Sequence, residues 1–154
     1  MTTSPQAGQP QKKSTFSTTM QRSFTNLHIF AYQRTGGTIG GNLGGKPMLL
    51  LTTTGRKSGK AHIIPISYFP DGERFIIIAS NWGAPKHPQW WLNLQAHPQT
   101  QIQVGRNTLT VVATEAMGEE QQRLWSLITT KYPNFLDYQK KTTRKIPVVI
   151  LTPQ

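Results

Sequence analysis

The chain has 154 residues, with 17 Lys and Arg against six Asp and Glu and a formal charge of +11. That length suits one domain with a sizeable core, and the charge suits an anionic small molecule, an anionic lipid surface or nucleic acid without choosing among them. The absence of cysteine excludes a disulfide scaffold, a thiolate metal site and a cysteine nucleophile, and no run approaches the roughly 18 apolar residues of a membrane span.

Residues 1–18 are rich in Ser, Thr, Gln and Pro and are expected to form a disordered polar tail. They lack an apolar signal-peptide core, so export by that route is not expected and the location that follows is cytoplasmic. Residues 19–154 are expected to form a single domain. Met20, Phe24, Leu27 and Ala31 fall on one face of an amphipathic helix, which Ile29 and Phe30 widen and Gly36–Gly37 stops. This helix either packs its apolar face on the domain or rests on the inner face of the cell membrane, with Arg22 and Arg34 among the headgroups. The glycine-rich segment from Thr35 to Gly45 reads as a mobile loop.

LLLTTTGRKSGK, Leu49 to Lys60, is the organising stretch. Its apolar half reads as a buried strand and its basic half as an anion cradle. Arg56, Lys57 and Lys60 supply charge, Ser58 a hydroxyl, and Gly55 and Gly59 free the backbone amides to face an anion. A solvated basic turn is the bland alternative. Ala61 to Phe69 is a second strand, demoted to an edge or bulge by Pro65. Across the turn Pro70-Asp71-Gly72-Glu73 it is expected to form a hairpin with a third, buried strand, Arg74 to Ser80. His87-Pro88 opens a helix carrying Trp90, Trp91 and Leu94, with Lys86 beside its N-terminus. One of the two tryptophans is expected in the core. Thr100–Val104 and Thr108–Thr114 make another hairpin, Glu119–Thr130 a helix, Tyr132–Tyr138 a short aromatic helix, and Ile146–Thr152 the last strand. About six short, mostly antiparallel strands with inserted helices point to a mostly β, α+β fold, a small split barrel with peripheral helices.

No residues here suggest acid–base or nucleophilic catalysis by the protein alone. The four histidines lack ligand-like spacing, so no metal is expected. An anion cradle without internal chemistry suggests a cofactor enzyme.

TTTGRKSGK, PDGERFIIIAS, NWGAPKHPQWWLNL and YPNFLDYQKKTTRKIPVVILTP, in that order, resemble the deazaflavin-dependent nitroreductase family of split β-barrel flavin-binding proteins. The resemblance runs from about Met20 to the C-terminus. It implies an oxidoreductase that uses reduced coenzyme F-420, an 8-hydroxy-5-deazaflavin with an anionic phosphodiester and polyglutamate tail. It implies that Thr52, Arg56, Lys57, Ser58, Gly59 and Lys60 hold the phosphate and tail, and that His62, Ile63, Pro65 and Ile66 lie against the ring. Ile78, Ala79, Ser80, Asn81, Gln89, Trp90, Trp91 and Asn93 complete the cofactor site. Tyr132, Phe135 and Tyr138 cover the ring and shape the acceptor pocket. Proton delivery falls to Ser80, Tyr132, Tyr138 or water. Two departures stand out: Asn81 replaces a frequent lysine, and Phe135 a frequent tyrosine. The lost hydroxyl implies that a quinone is favoured over a nitroaromatic acceptor. The competing readings are FMN in the same barrel, a nucleic-acid binder, and a membrane-surface protein without redox activity. Nucleic acid is not expected as a partner, and both a monomer and a homodimer are compatible with the resemblance.

Overall fold

A computed structural model describes residues 15–154, with side chains from Gln21 onward. The sheet hangs on β2 (Lys46–Thr54), which pairs with β3 (Ala61–Ser67) along one edge and with β6 (Gln99–Val104) along the other. Period-two alternation sends Leu49 and Leu51 into the main core and Met48 and Leu50 to the opposite face. There α1 (Thr15–Thr35) closes over them with Tyr32 and Ile29. Burial on both faces is why this strand reads as an unbroken apolar run.

The remaining strands are β1 (Asn42–Leu43), β4 (Phe69–Asp71), β5 (Arg74–Ile78), β7 (Asn107–Glu115) and β8 (Val148–Pro153). The sheet runs β1-β2-β6-β7-β8-β5-β4, with β3 added to β2, and every pairing is antiparallel. Its concave face buries Leu49, Leu51, Ile77, Ile102, Val111, Val149 and Leu151, and Trp91 and Leu94 of α2 (Gln89–Ala96) plug that space. The other face of β5 and β8, Ile76, Ile78, Val148 and Ile150, packs on Leu124 and Ile128 of α3 (Gly118–Lys131) and Phe135 of α4 (Asn134–Lys140). Each such buried aliphatic side chain contributes about 1.5–3 kcal/mol. The expected mostly β split barrel is the fold observed, with two very short strands, β1 and β4, beyond the six expected.

Three local expectations are corrected. β3 does not form a hairpin with β5. It pairs only with β2, an edge position that suits Pro65, which has no N–H to donate. The chain leaves the strand at Tyr68, whose N–H donates to the Pro47 carbonyl (3.0 Å), and only the short β4 turns back onto β5. Second, the apolar face expected of α1 divides: Phe24, Leu27 and Phe30 are 68, 62 and 59 % exposed, while Ile29 of the same face docks. The docked face is Ile29 and Tyr32, with His28 Nε2 2.7 Å from the Gly40 carbonyl. The Tyr32 hydroxyl, 1 % exposed as a residue, lies 3.1 and 3.2 Å from the Met48 and Gln103 carbonyls and accepts from the Gly105 N–H (2.8 Å). Third, the glycine-rich segment ends in order. Gly44 and Gly45, at φ 60° and 79°, form the two-residue turn of the β1–β2 hairpin, a conformation that favours glycine at both positions.

Residues 1–14 of the expected polar tail lie outside the described residues, and helix is already formed at Thr15. No helix among the described residues is long and apolar enough to cross a membrane.

Candidate active site

The basic loop turns β2 into β3 and forms one end of a long cleft. Gly55 is buried where it bends, and a Cβ there would lie 2.4 Å from Ser58 Oγ and 2.9 Å from His62 Nε2. The amides of Gly55 and Gly59 are not free, as the sequence had suggested. Gly55 donates to the Lys60 carbonyl and Gly59 to the Gly55 carbonyl, each at 2.8 Å. Lys60 N–H donates to Ser58 Oγ (3.2 Å), whose own O–H is left to donate. The two glycine amides are therefore engaged within the loop, and Arg56, Lys57 and Ser58 line the cleft beside it.

Arg56 is the best fixed of these. Gln89 and Asn93 stand one turn apart on α2, so their amides face the loop together. Arg56 Nη1 donates to Asn93 Oδ1 (3.0 Å) and Nη2 to Gln89 Oε1 (2.9 Å), and its backbone N–H also reaches Asn93 Oδ1 (3.2 Å). Asn93 is itself buried and donates from Nδ2 to Thr53 Oγ1 (3.4 Å). Neutral amides thus orient the guanidinium and leave its charge uncompensated. With Lys57, Ser58, His62, Ile64 and Trp90, these residues line a lobe of about 470 Å³.

Ile64 and Trp90 also line a second lobe of about 610 Å³, so the two are halves of one cleft. The second lobe is mostly apolar. β2 and β3 supply Met48, Pro65 and Ile66, β5 and the loop after it Ile78, Ser80, Asn81 and Trp82, and α4 Phe135 and Tyr138. Lys46, Leu43, Ser67, Pro88 and Asn134 also line it, with Thr25 and His28 from α1. Trp82 and Phe135 each meet Tyr138 edge-on, with ring centroids 5.9 and 5.8 Å away. No Asp or Glu is among the described residues that line either lobe.

Asn81 and Trp82 hold φ of 45° and 57°, a left-handed conformation that costs a non-glycine residue roughly 1–3 kcal/mol. Arg144 maintains it. Its Nε donates to the Ala84 carbonyl (2.9 Å), Nη2 to Ser80 (2.7 Å) and Nη1 to Ala79 (3.3 Å), and Nη1 also lies 3.1 Å from His87 Nδ1. Burial lowers the pKa of Arg144, and burial followed by the Arg144 charge pushes His87 below its ordinary 6.5. His87 is therefore neutral, with Nδ1 as acceptor. Asn81 Nδ2 caps the loop from within by donating to the Lys86 carbonyl (2.9 Å).

Of the residues expected at the site, Arg56, Lys57, Ser58, His62, Pro65, Ile66, Ile78, Ser80, Asn81, Gln89, Trp90, Asn93, Phe135 and Tyr138 line the cleft. Thr52, Gly59, Lys60, Ile63, Ala79, Trp91 and Tyr132 do not. Trp91 and Ala79 are core residues, and the Thr52 carbonyl accepts from the Thr100 hydroxyl. Ile63 alternates with the lining Ile64 and is 37 % exposed. Tyr132 packs on Phe69, ring centroids 5.2 Å apart. Sequence reasoning missed Lys46, Thr53, Ile64 and Arg144. Strand alternation from His62 would have found Ile64; no local pattern marks the others.

Known proteins resemble this chain over most of its length. A family model described as F420H2-dependent quinone reductase matches residues 24–153. An F420H2-dependent quinone reductase of Mycobacterium tuberculosis is 38 % identical over 130 residues, covering 82 % of this chain and 87 % of that protein. The solved structure of an F420H2-dependent reductase (FDR-A) superposes with a TM-score of 0.62 at 40 % identity, over 68 % of this chain and 93 % of that one. Another, described as a domain-swapped dimer, gives 0.66 at 35 % identity over 88 % and 98 %. The resemblance to deazaflavin-dependent nitroreductases thus narrows to a quinone-reducing branch: with its family match spanning nearly all of the described domain, this chain belongs to the F420H2-dependent quinone reductase family.

Proposed function

We propose that this protein is an oxidoreductase that binds reduced coenzyme F-420 in the two-lobed cleft and reduces an apolar quinone. The observation that carries this reading is the division of the cleft. One lobe presents uncompensated cations, the other is apolar, and they meet at Ile64 and Trp90. That donor set fits a molecule with a flat apolar ring joined to an anionic tail. Arg56 and Lys57, with the Ser58 hydroxyl, take the phosphodiester and tail, and Lys60 and Gly59 belong to the outer rim of that loop. FMN offers a phosphate but no polyglutamate, and would leave much of this charge unused.

When bound, the reduced deazaflavin supplies the hydride. The chain's own residues orient and enclose. Ile64, Pro65, Ile66, Ile78 and Trp90 offer an apolar face to the ring, and Met48, Trp82, Phe135 and Tyr138 one to the acceptor. Holding the two in contact supplies most of the rate. The Ser80 and Tyr138 hydroxyls stand in the acceptor lobe and are suited to move a proton. Tyr132 contributes by its packing rather than by its hydroxyl.

The test is a tryptophan-fluorescence titration, since Trp82 and Trp90 line the cleft. Saturable quenching by the deazaflavin coenzyme is expected, and Arg56→Ala should weaken it about 10- to 100-fold, the worth of a charge-assisted hydrogen-bond pair. Tighter binding of FMN than of the deazaflavin would overturn the reading.

The outer face of α1 favours a second element of function. Phe24, Leu27 and Phe30 are exposed in a row, with the Arg34 guanidinium 5.7 Å from the Phe30 ring centroid. We read this as a peripheral contact with the cytoplasmic face of the membrane, where lipid-soluble quinones reside. The protein should sediment with anionic vesicles, and Phe24→Ser/Leu27→Ser should abolish that. Equal sedimentation of the variant would sink the idea.

A further inference from the structure

Among the described residues that line the acceptor lobe, Lys46 is the only Lys or Arg, and there is no carboxylate to answer it. Its place is firmly set. The turn Gly44–Gly45 pairs Leu43 with Lys46, and Gly45 N–H donates to Asn42 Oδ1 (3.1 Å). Lys46 is half-buried, and Nζ stands 4.8 Å from the ring centroid of Tyr132 and 5.1 Å from that of Phe135. Two ring faces hold an ammonium without neutralising it. The ion pairs among the described residues join Asp71 and Glu120 to Arg74 and Arg123, so none engages Lys46. A cation fixed over aromatic rings in a mostly apolar lobe is poised for an oxygen that becomes anionic there.

Quinone reduction creates such an oxygen. Uptake of a hydride adds two electrons and one proton, and leaves the hydroquinone mono-anion with its charge on an oxygen. One further proton completes the quinol. We propose that Lys46 is a catalytic residue of the acceptor half-reaction: its ammonium hydrogen-bonds the developing oxyanion and donates that proton, regaining it from solvent, and the Ser80 and Tyr138 hydroxyls are left to orient the acceptor. The inference rests on the quinone reading above and names the group that answers the acceptor's charge. It also assigns Phe135 and Tyr132 a part that needs no hydroxyl, that of a platform for the cation.

The test separates binding from turnover. The probe is 2-hydroxy-1,4-naphthoquinone, an anion at neutral pH with a visible absorbance, titrated into the full-length protein beside uncharged 1,4-naphthoquinone. Lys46→Met should weaken the anion about 10-fold or more and the neutral quinone less than about twofold, an order set by loss of one cationic partner. Lys46→Arg should retain the preference, and Lys46→Gln provides a second, polar loss of charge. In turnover, Lys46→Met should lower kcat/KM for the quinone about 10- to 100-fold with unchanged affinity for the coenzyme, and added ethylamine should restore part of the rate in Lys46→Ala. Equal effects on both quinones, or no effect on either, would overturn the proposal. Absence of coenzyme binding to the wild-type protein would instead strike the function proposed above, because the anion preference is read without it.

Discussion

Arg144 lies about 60 residues beyond the groups it holds, the carbonyls of Ala79, Ser80 and Ala84. Replacing it with Gln would leave these acceptors short of donors beside a backbone already strained at Asn81 and Trp82. We expect Arg144→Gln to lower stability by about 2–4 kcal/mol in urea unfolding, since hydrogen bonds to a charged group contribute about 1.5–3 kcal/mol each and do not add. His87 makes the same loop sensitive to pH. Its folded pKa lies below 6.5, so its contribution is complete above pH 6.5 and declines as the pH falls below that value. His87→Gln should remove this part of the acid sensitivity, read as the thermal midpoint between about pH 7 and 5. Arg144 was invisible in the sequence because its partners are backbone carbonyls, which every residue has. Trp90 and Trp91 were legible only as a pair: adjacent helix positions face different ways, so one had to be core, and packing of α2 against the sheet decides that it is Trp91.

Among the elements, hairpins and helices with caps or turn residues were read from sequence, and long-range pairing was not. The turn at Gly72 is real, yet it joins only β4 to β5, because a proline-bearing strand finds its place beside β2. The face of α1 divides for a related reason. Phe24, Leu27 and Ala31 have the periodicity of a core face, but so do Ile29 and Tyr32, and Tyr32 wins by adding three hydrogen-bond contacts to buried area. Tyr32→Phe should therefore cost about 1–3 kcal/mol, whereas Phe24→Ser/Leu27→Ser should change stability by less than about 1 kcal/mol. Burial, the first cause, raises the Tyr32 pKa above 10.0, so the unmodified protein should also lose stability as the pH rises past 10.

At the scale of the molecule, the six acids are too few to offset 17 basic residues, and their placement matters accordingly. Asp71 at the end of the sheet accepts from Arg123 of α3 (3.1 and 3.2 Å) and pairs with Arg74, which also meets Glu120 (2.7 Å). The hydrogen bonds from Arg123, then Arg74, lower the Asp71 pKa from 3.8 to about 2. Its contribution is thus present above pH 3.8 and lost as the pH falls through about 2. Asp71→Asn should flatten the stability profile over that interval in a circular-dichroism melt series, and an unchanged slope would show that the network contributes nothing there. Of the excess cations that composition announced, Lys46, Arg56 and Lys57 line the cleft, and which cations face inward depended on the course of β2, β3 and α2.

One part of this molecule serves two spaces at once. Helix α1 turns Thr25 and His28 toward the mostly apolar lobe and Phe24, Leu27 and Phe30 outward. A single helix thickness, about 10 Å, therefore separates the cleft from whatever that outer face touches. Deleting the helix would unroof the cleft and strip its outer surface in one cut, so a failing truncated enzyme would not tell wall from outer face. Exchanging the three outward side chains tests the outer face alone, which makes the helix a door whose two sides can be repainted separately.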